Sequence, residues 1–179
     1  SLSLDKLSER VGLCRVFVST ISTFASSLDI LKIKNFETLI IDEASQVLES
    51  QIVGILKYFN KWILIGDENQ LPAVVVQKPD DSKCDDPELL DISLSNFRES
   101  LFYRLKKNAI KKGWSDCHGM LRYQYRMHKD VAAFPQKQFY NNLLETRNEI
   151  QNEPFLPNII GGDPLIQEVL TKNRVIFIP

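Results

Sequence analysis

The stretch "TLIIDEASQ", Thr38 to Gln46, decides the fold. Leu39, Ile40 and Ile41 form a continuous apolar run, the pattern of a strand buried on both faces of a parallel sheet. The run ends directly in two carboxylates, Asp42 and Glu43, followed by a turn of small residues. Such a strand delivers two negative charges to the rim of a core. Desolvated carboxylates are costly unless they are paired or hold a cation, so function is sought at this rim first. For an Asp-Glu taken alone, a solvated strand end that caps the next helix is an equally good reading.

Outward from this point, strands and helices alternate. Upstream, "RVFVST" (Arg15–Thr20) reads as a strand entering a Ser/Thr-rich turn, with a loop after it that ends at Asn35. Downstream, "SQVLESQIVGILKYF" sets Val47, Leu48, Ile52, Ile55, Leu56 and Phe59 on a helical stripe, weakened by Gly54. "KWILIGDENQLP" contains a third strand, Trp62–Ile65, that runs into a Gly-Asp turn. The acidic, proline-bearing segment Lys78–Asp91 is expected to be an exposed, mobile loop. A long amphipathic helix follows from Asn96 to Lys112, with Asn96 and Glu99 as a capping pair and Gly113 as its stop. A shorter helix covers His128–Tyr140, and the chain ends on a strand, "RVIFIP". This alternation predicts an α/β fold with a parallel sheet flanked by helices.

Composition narrows the function classes. At 179 residues, 44% hydrophobic and 25% charged, the chain reads as globular. It holds no apolar run near the roughly 18 residues that span a bilayer, so no membrane is expected among its partners. A net charge of -1 rules out bulk basicity, and any nucleic acid must bind a local groove. Cys14, Cys84 and Cys117 are scattered and odd in number, against a disulfide framework or zinc site and for a reducing interior. The expected location is the cytoplasm, or the nucleus in a eukaryote. Arg104, Lys106, Lys107, Lys111 and Lys112 offer positive charge, but Leu101, Leu105 and Ala109 recur at helical spacing. The basic residues are therefore read as the wet face of that helix. Phe134, Phe139 and Tyr140 are read as packing residues.

In open α/β sheets function concentrates at the carboxyl ends of the strands. Three such ends here are polar: Ser19–Thr20, Asp42–Gln46 and Gly66–Pro72. Alone, Gly66-Asp67-Glu68-Asn69 is an ordinary turn and Gln70 a surface amide. Together they fit one chemistry. A carboxylate that positions Mg²⁺ beside a second that orients water is what nucleotide hydrolysis needs. Gln70, on the neighbouring strand end, can feel the γ-phosphate through a contact that hydrolysis removes.

"IIDEASQ", "ILIGDENQLPAVV" and "LRYQYRMHKDVAAFP" resemble motifs II, III and IV of superfamily 1 helicases, in the family's order, over about Arg15 to Leu144. The nearest branch is that of the nonsense-mediated-decay RNA helicase and its DNA-acting relatives. The resemblance implies a RecA-like P-loop NTPase fold. It implies that Asp42 holds Mg²⁺ through water, that Glu43 activates the hydrolytic water and that Gln70 senses the γ-phosphate of ATP. Arg126 would be an arginine finger from the second lobe. Tyr125 would stack on adenine, with Gln124 in the same nucleotide contact. "VFVSTIST" resembles the motif that touches the nucleic-acid backbone, which makes Ser19 and Thr20 candidate contacts to single-stranded or duplex RNA or DNA, and the resemblance adds Pro72 from "GDENQLP" to them. Ala73 stands where the family has a second proline, and Lys129 where the motif often continues His-Pro. Both departures bear on the strand-contacting geometry and leave the hydrolytic residues intact.

None of the seven glycines is followed by Lys-Ser or Lys-Thr, so the phosphate-gripping loop G-x-x-x-x-G-K-[ST] is absent from this sequence. The chain accordingly reads as an internal fragment whose further partner is the remainder of its own polypeptide. Residues 1–116 would be the C-terminal part of a first RecA-like lobe and residues 117–179 the beginning of a second. By itself such a fragment is expected to be inactive. The alternative is a non-catalytic nucleic-acid or protein binding module on a degenerate RecA-like scaffold. Two intact hydrolytic carboxylates favour the first reading.

Overall fold

Thr38–Ile41 does form a strand (β1), and Lys61–Leu64 forms a second (β2) parallel to it. The register pairs Leu39 with Trp62, Ile40 with Ile63 and Ile41 with Leu64. The helix between them, α4 (Glu49–Leu56), makes the crossover that parallel strands require. It starts after a single 3₁₀ turn at Ala44–Gln46, and its end is set by the Lys57–Phe59 turn. The computed structural model describes residues 4–147, 152 and 162–176.

Around this βαβ unit lie α1 (Leu4–Leu13), α2 (Ile21–Ser26), α3 (Ile30–Ile33), α5 (Pro87–Asp91) and α6 (Leu101–Lys112). The core is built where one sheet face meets α4 and α6. Ile41, Ala44, Ile52, Leu56 and Leu101 are buried together, with Leu39, Leu64, Phe102 and Leu105 packed against them. Further along, β3 (Tyr123–Gln124), α7 (Lys129–Phe139) and β4 (Glu145–Thr146) make a second, smaller parallel crossover, with α8 (Pro164–Lys172) beyond. Cα proximity divides the chain into two compact units, Ser1–His118 and Gly119–Pro179.

Several expectations are corrected. β1 is buried on one face only: Ile41 is 5% exposed, but Ile40 on the opposite face is 60% exposed. Helices cover a single side of the sheet here, and an apolar run cannot report which of its faces finds a partner. Arg15–Thr20 is not a strand, since no described strand pairs with it and Val16 and Val18 lie exposed. The segment up to Asn35 is not a loop but carries α2 and α3, the first capped by Thr20. Of "RVIFIP", Arg174–Ile176 take no regular structure and residues 177–179 lie outside the described residues.

The acidic segment 78–91 is folded rather than free. Ser82 is fully buried and donates to the Lys78 carbonyl (2.7 Å). Lys83 forms an antiparallel bridge with Asn96, Cys84 N–H donates to Ser95 O (3.0 Å), and Phe97 N–H donates to Ser82 O (2.9 Å). Asp86 then caps α5 by accepting from Glu88 and Leu89 N–H. Its charges mark helix caps and turns, roles that short polar side chains fill as readily as they fill disordered tails.

The long helix begins later than expected. Ser100, not Asn96, is its N-cap and accepts from Tyr103 N–H (3.2 Å), while Asn96 closes the preceding turn onto Arg98 N–H. Gly113 ends it in the left-handed region (φ 69°), as a C-terminal glycine should. Arg104 does not share the wet face: it is buried on Glu49.

Candidate functional site

Strand pairing brings the two acidic strand ends together. Ile65 N–H donates to Ile41 O (2.8 Å) and Ala44 N–H returns to Ile65 O (2.7 Å), extending the parallel ladder past both strands. Asp67 N–H then donates to Ser45 Oγ (3.1 Å). The approach is so close that a Cβ on Gly66 would sit 2.7 Å from the Ser45 backbone nitrogen. Only glycine fits there. Asp42, Glu43 and Gln70 therefore share one carboxyl-terminal rim of the sheet.

On that rim the chain turns sharply. Glu43 adopts the left-handed conformation (φ 53°, ψ 35°), which is uncommon outside glycine, asparagine and aspartate. Asp42 Oδ1 accepts from Glu43 N–H (3.0 Å), and Gln46 Nε2 donates to Glu43 Oε2 (3.3 Å). Both carboxylates are solvent-exposed, so they are reachable rather than structural. Across the rim, Asp67 Oδ1 accepts from Asn69 N–H and Asp67 Oδ2 accepts from Gln70 Nε2 (2.8 Å). The Gln70 amide is thus held by Asp67 through one of its N–H groups.

Among the described residues no group of three His, Cys, Asp or Glu side chains could hold a metal ion. An all-protein cage is therefore not built here. A single exposed carboxylate does suit Mg²⁺, which keeps several waters and shares its shell with phosphate oxygens.

In the second unit the turn carrying Arg126 is organised by Gln124. Its Oε1 accepts from Arg126 N–H (2.9 Å) and Met127 N–H (2.7 Å); its Nε2 donates to Met127 O (2.8 Å) and Thr146 Oγ1 (2.6 Å). Both ends of this amide are occupied by protein. Arg126 and Tyr125 project outward, the latter 65% exposed. Asp130, four residues on, lies against His128 Nδ1 (3.3 Å), and no described carboxylate pairs with Arg126.

The nucleic-acid candidates are more scattered. Thr20 Oγ1 accepts from Thr23 N–H (3.1 Å) as the cap of α2, and Ser19 Oγ donates to Thr20 O. Pro72 lies in an exposed, irregular segment between Leu71 (82% exposed) and Val74 (91% exposed).

Two family models, each described as an AAA domain, match residues 6–78 and 97–178, which include the rim and the Gln124 turn respectively. Helicase sen1 of Schizosaccharomyces pombe is 41% identical over 112 residues, covering 62% of this chain and 6% of that protein. Helicase SEN1 of Saccharomyces cerevisiae is 35% identical, covering 71% of this chain and 6% of that protein. An uncharacterized ATP-dependent helicase of Methanocaldococcus jannaschii is 33% identical, covering 98% of this chain and 24% of that protein. The two AAA-domain matches and these helicase relatives together support a superfamily 1 helicase segment. It spans between 6% and 24% of the length of these curated relatives.

In this segment, sequence reasoning missed the residues that hold the rim. Ser45 and Gly66 staple the two strand ends, and Asp67 holds Gln70. Glu49 and Arg104 bind α4 to α6 through a bidentate buried pair (2.7 and 2.5 Å). Only Asp67 left a signal, as an aspartate three residues before the glutamine in a turn. The Glu49–Arg104 pair joins positions 55 residues apart and leaves no local pattern.

Proposed function

We propose that this chain supplies the hydrolytic carboxylates, the γ-phosphate sensor and the arginine finger of an ATP-dependent helicase or translocase acting on RNA or DNA. The branch is that of the nonsense-mediated-decay helicase, a reading supported by the string "QYRMH" (Gln124–His128). Residues 1–116 belong to the first lobe and residues 117–179 to the start of the second.

The observation that carries the proposal is the shared rim: Asp42 and Glu43 end one strand, Gln70 follows the adjacent one, and backbone bonds lock the two ends together. Asp42 offers the carboxylate for a hydrated Mg²⁺. The metal supplies charge compensation for the phosphates when ATP is bound. Glu43, in its left-handed turn at the strand end, orients and deprotonates the attacking water. Gln70 exchanges its bond to Asp67 for the γ-phosphate. Arg126, free of a described acid, is available to the transferring phosphoryl group, and Tyr125 offers an exposed ring to the base. Gln124 acts on the nucleotide through the turn it holds. Ser19, Thr20 and Pro72 are the contacts to the nucleic-acid strand.

The test is Glu43→Gln in the complete protein. Steady-state ATP turnover stimulated by single-stranded nucleic acid should fall by at least about 10²-fold, the usual contribution of a positioned base. Nucleotide affinity should stay within about threefold, because the carboxamide leaves the phosphate contacts in place. Undiminished turnover would remove Glu43 from the mechanism and with it the reading of this rim.

A further inference from the structure

Gln70 can act as a sensor only if its loop holds still relative to the carboxylates, and beside the Asp67–Ser45 bond a side chain from α6 also ties the loop to the rest of the lobe. Lys106 Nζ pairs with Glu68, two residues before Gln70, and the two side chains are 33% and 26% exposed. Two residues earlier on the same helix, Arg104 makes its buried bidentate pair with Glu49, the first residue of α4. A backbone bridge between Leu48 and Ser100 ties the starts of α4 and α6 together beside that pair. α6 is therefore fixed to the segment that follows Asp42-Glu43, and through Lys106 it reaches across to the segment that precedes Gln70.

We propose that Lys106 is a positioning residue for the γ-phosphate sensor. Anchored by Arg104, α6 presents Lys106 so that its ion pair with Glu68 fixes the Gly66–Gln70 loop in register with Asp42 and Glu43. This inference rests on the functional reading above. The geometry is that of a clamp with one immovable and one adjustable jaw. The Arg104 side is buried and bidentate, while the Lys106 side is a partly solvated point charge whose three donors tolerate reorientation. When Gln70 leaves Asp67 for a phosphate, the loop has to shift without detaching, and a lysine tether permits that where a second guanidinium fork would resist it. Partly exposed pairs add little to stability, so the role of this one is separable from folding.

The experiment uses the complete protein with Lys106→Met, Glu68→Gln, and the charge-reversed pair Lys106→Glu with Glu68→Lys. Three quantities are read on each preparation: nucleic-acid-stimulated kcat for ATP, KM for ATP, and melting temperature. Each single variant should lose roughly tenfold or more in kcat, since small displacements of a positioning group carry large kinetic penalties. KM should stay within about twofold, because the loop does not carry the main phosphate cradle. Melting temperature should move by no more than about 3 °C. The charge-reversed pair should recover kcat to within about threefold of the parent, as a coupled pair does in a double-mutant cycle. Single variants that turn over as fast as the parent overturn the inference. So does a loss of kcat that tracks a loss of melting temperature, or a charge-reversed pair no better than either single variant. A parent protein with no ATP turnover overturns the functional reading itself and the inference with it.

Discussion

Arg126 and Gly66 show how much a single position can carry. Arg126 has no described carboxylate partner, and its backbone N–H is pinned by Gln124. An arginine finger is worth about 10³–10⁵ in turnover where phosphoryl transfer has been dissected. Arg126→Ala in the complete protein should therefore collapse stimulated ATP turnover while leaving melting temperature unchanged, and Arg126→Lys should restore little because an ammonium lacks the planar fork. Turnover and a thermal melt on one preparation decide the matter. Gly66 answers to packing instead. A Cβ there meets backbone rather than a yielding side chain, at 2.7 Å. Gly66→Ala must spread the two strand ends, and we expect a cost of about 1–3 kcal/mol by chemical denaturation, with turnover lost in proportion to the distorted rim.

At the scale of elements, α6 is held by groups of unequal worth. Its N-cap Ser100 satisfies the first-turn N–H of Tyr103, and Ser100→Ala should cost about 1 kcal/mol. The Glu49–Arg104 pair is different in kind, with side chains only 10% and 8% exposed. Arg104→Met alone strands a buried carboxylate and should cost about 3–5 kcal/mol, whereas Glu49→Leu with Arg104→Met should recover most of that loss. Denaturant midpoints of the two variants test this, and equal midpoints would show that Glu49 finds water or another donor. The same elements show what periodicity can deliver. The stripe of α4 was legible because Ile52, Ile55 and Leu56 face a core at helical spacing. Arg104 was not, because a basic residue on an amphipathic helix looks alike whether its partner is water or a distant glutamate.

For the whole molecule, the sheet is the revealing feature. Two parallel strands are few, and parallel sheets are ordinarily covered on both faces. Here Ile41 lies in the core, while Ile40 and Ile63, paired in register, are 60% and 38% exposed. Ile41→Ala should cost about 2–5 kcal/mol, but Ile40→Thr on the open face should cost well under 1 kcal/mol in this 179-residue chain. A thermal melt of the two variants separates them. If Ile40→Thr proves as damaging as Ile41→Ala, the open face is covered in solution.

The sequence by itself determined what depends on neighbours along the chain. The β1 run, the α4 stripe, Gly113 as a stop and the exposure of Asp42, Glu43, Gln70 and Arg126 were all readable, because propensity, periodicity and polarity act over a few residues. Tertiary structure alone decided the rest. "RVFVST" has strand composition, but a strand exists only through a partner's hydrogen bonds, and none of the described strands offers them. Segment 78–91 has the charge of a mobile loop, but pairing with residues 95–97 buries Ser82 and Cys84 and orders it. The clamp through Arg104 and Lys106 joins residues 55 and 38 positions apart. Long-range pairing of this kind is set by where the chain places its helices once the core has formed, and no local pattern encodes it.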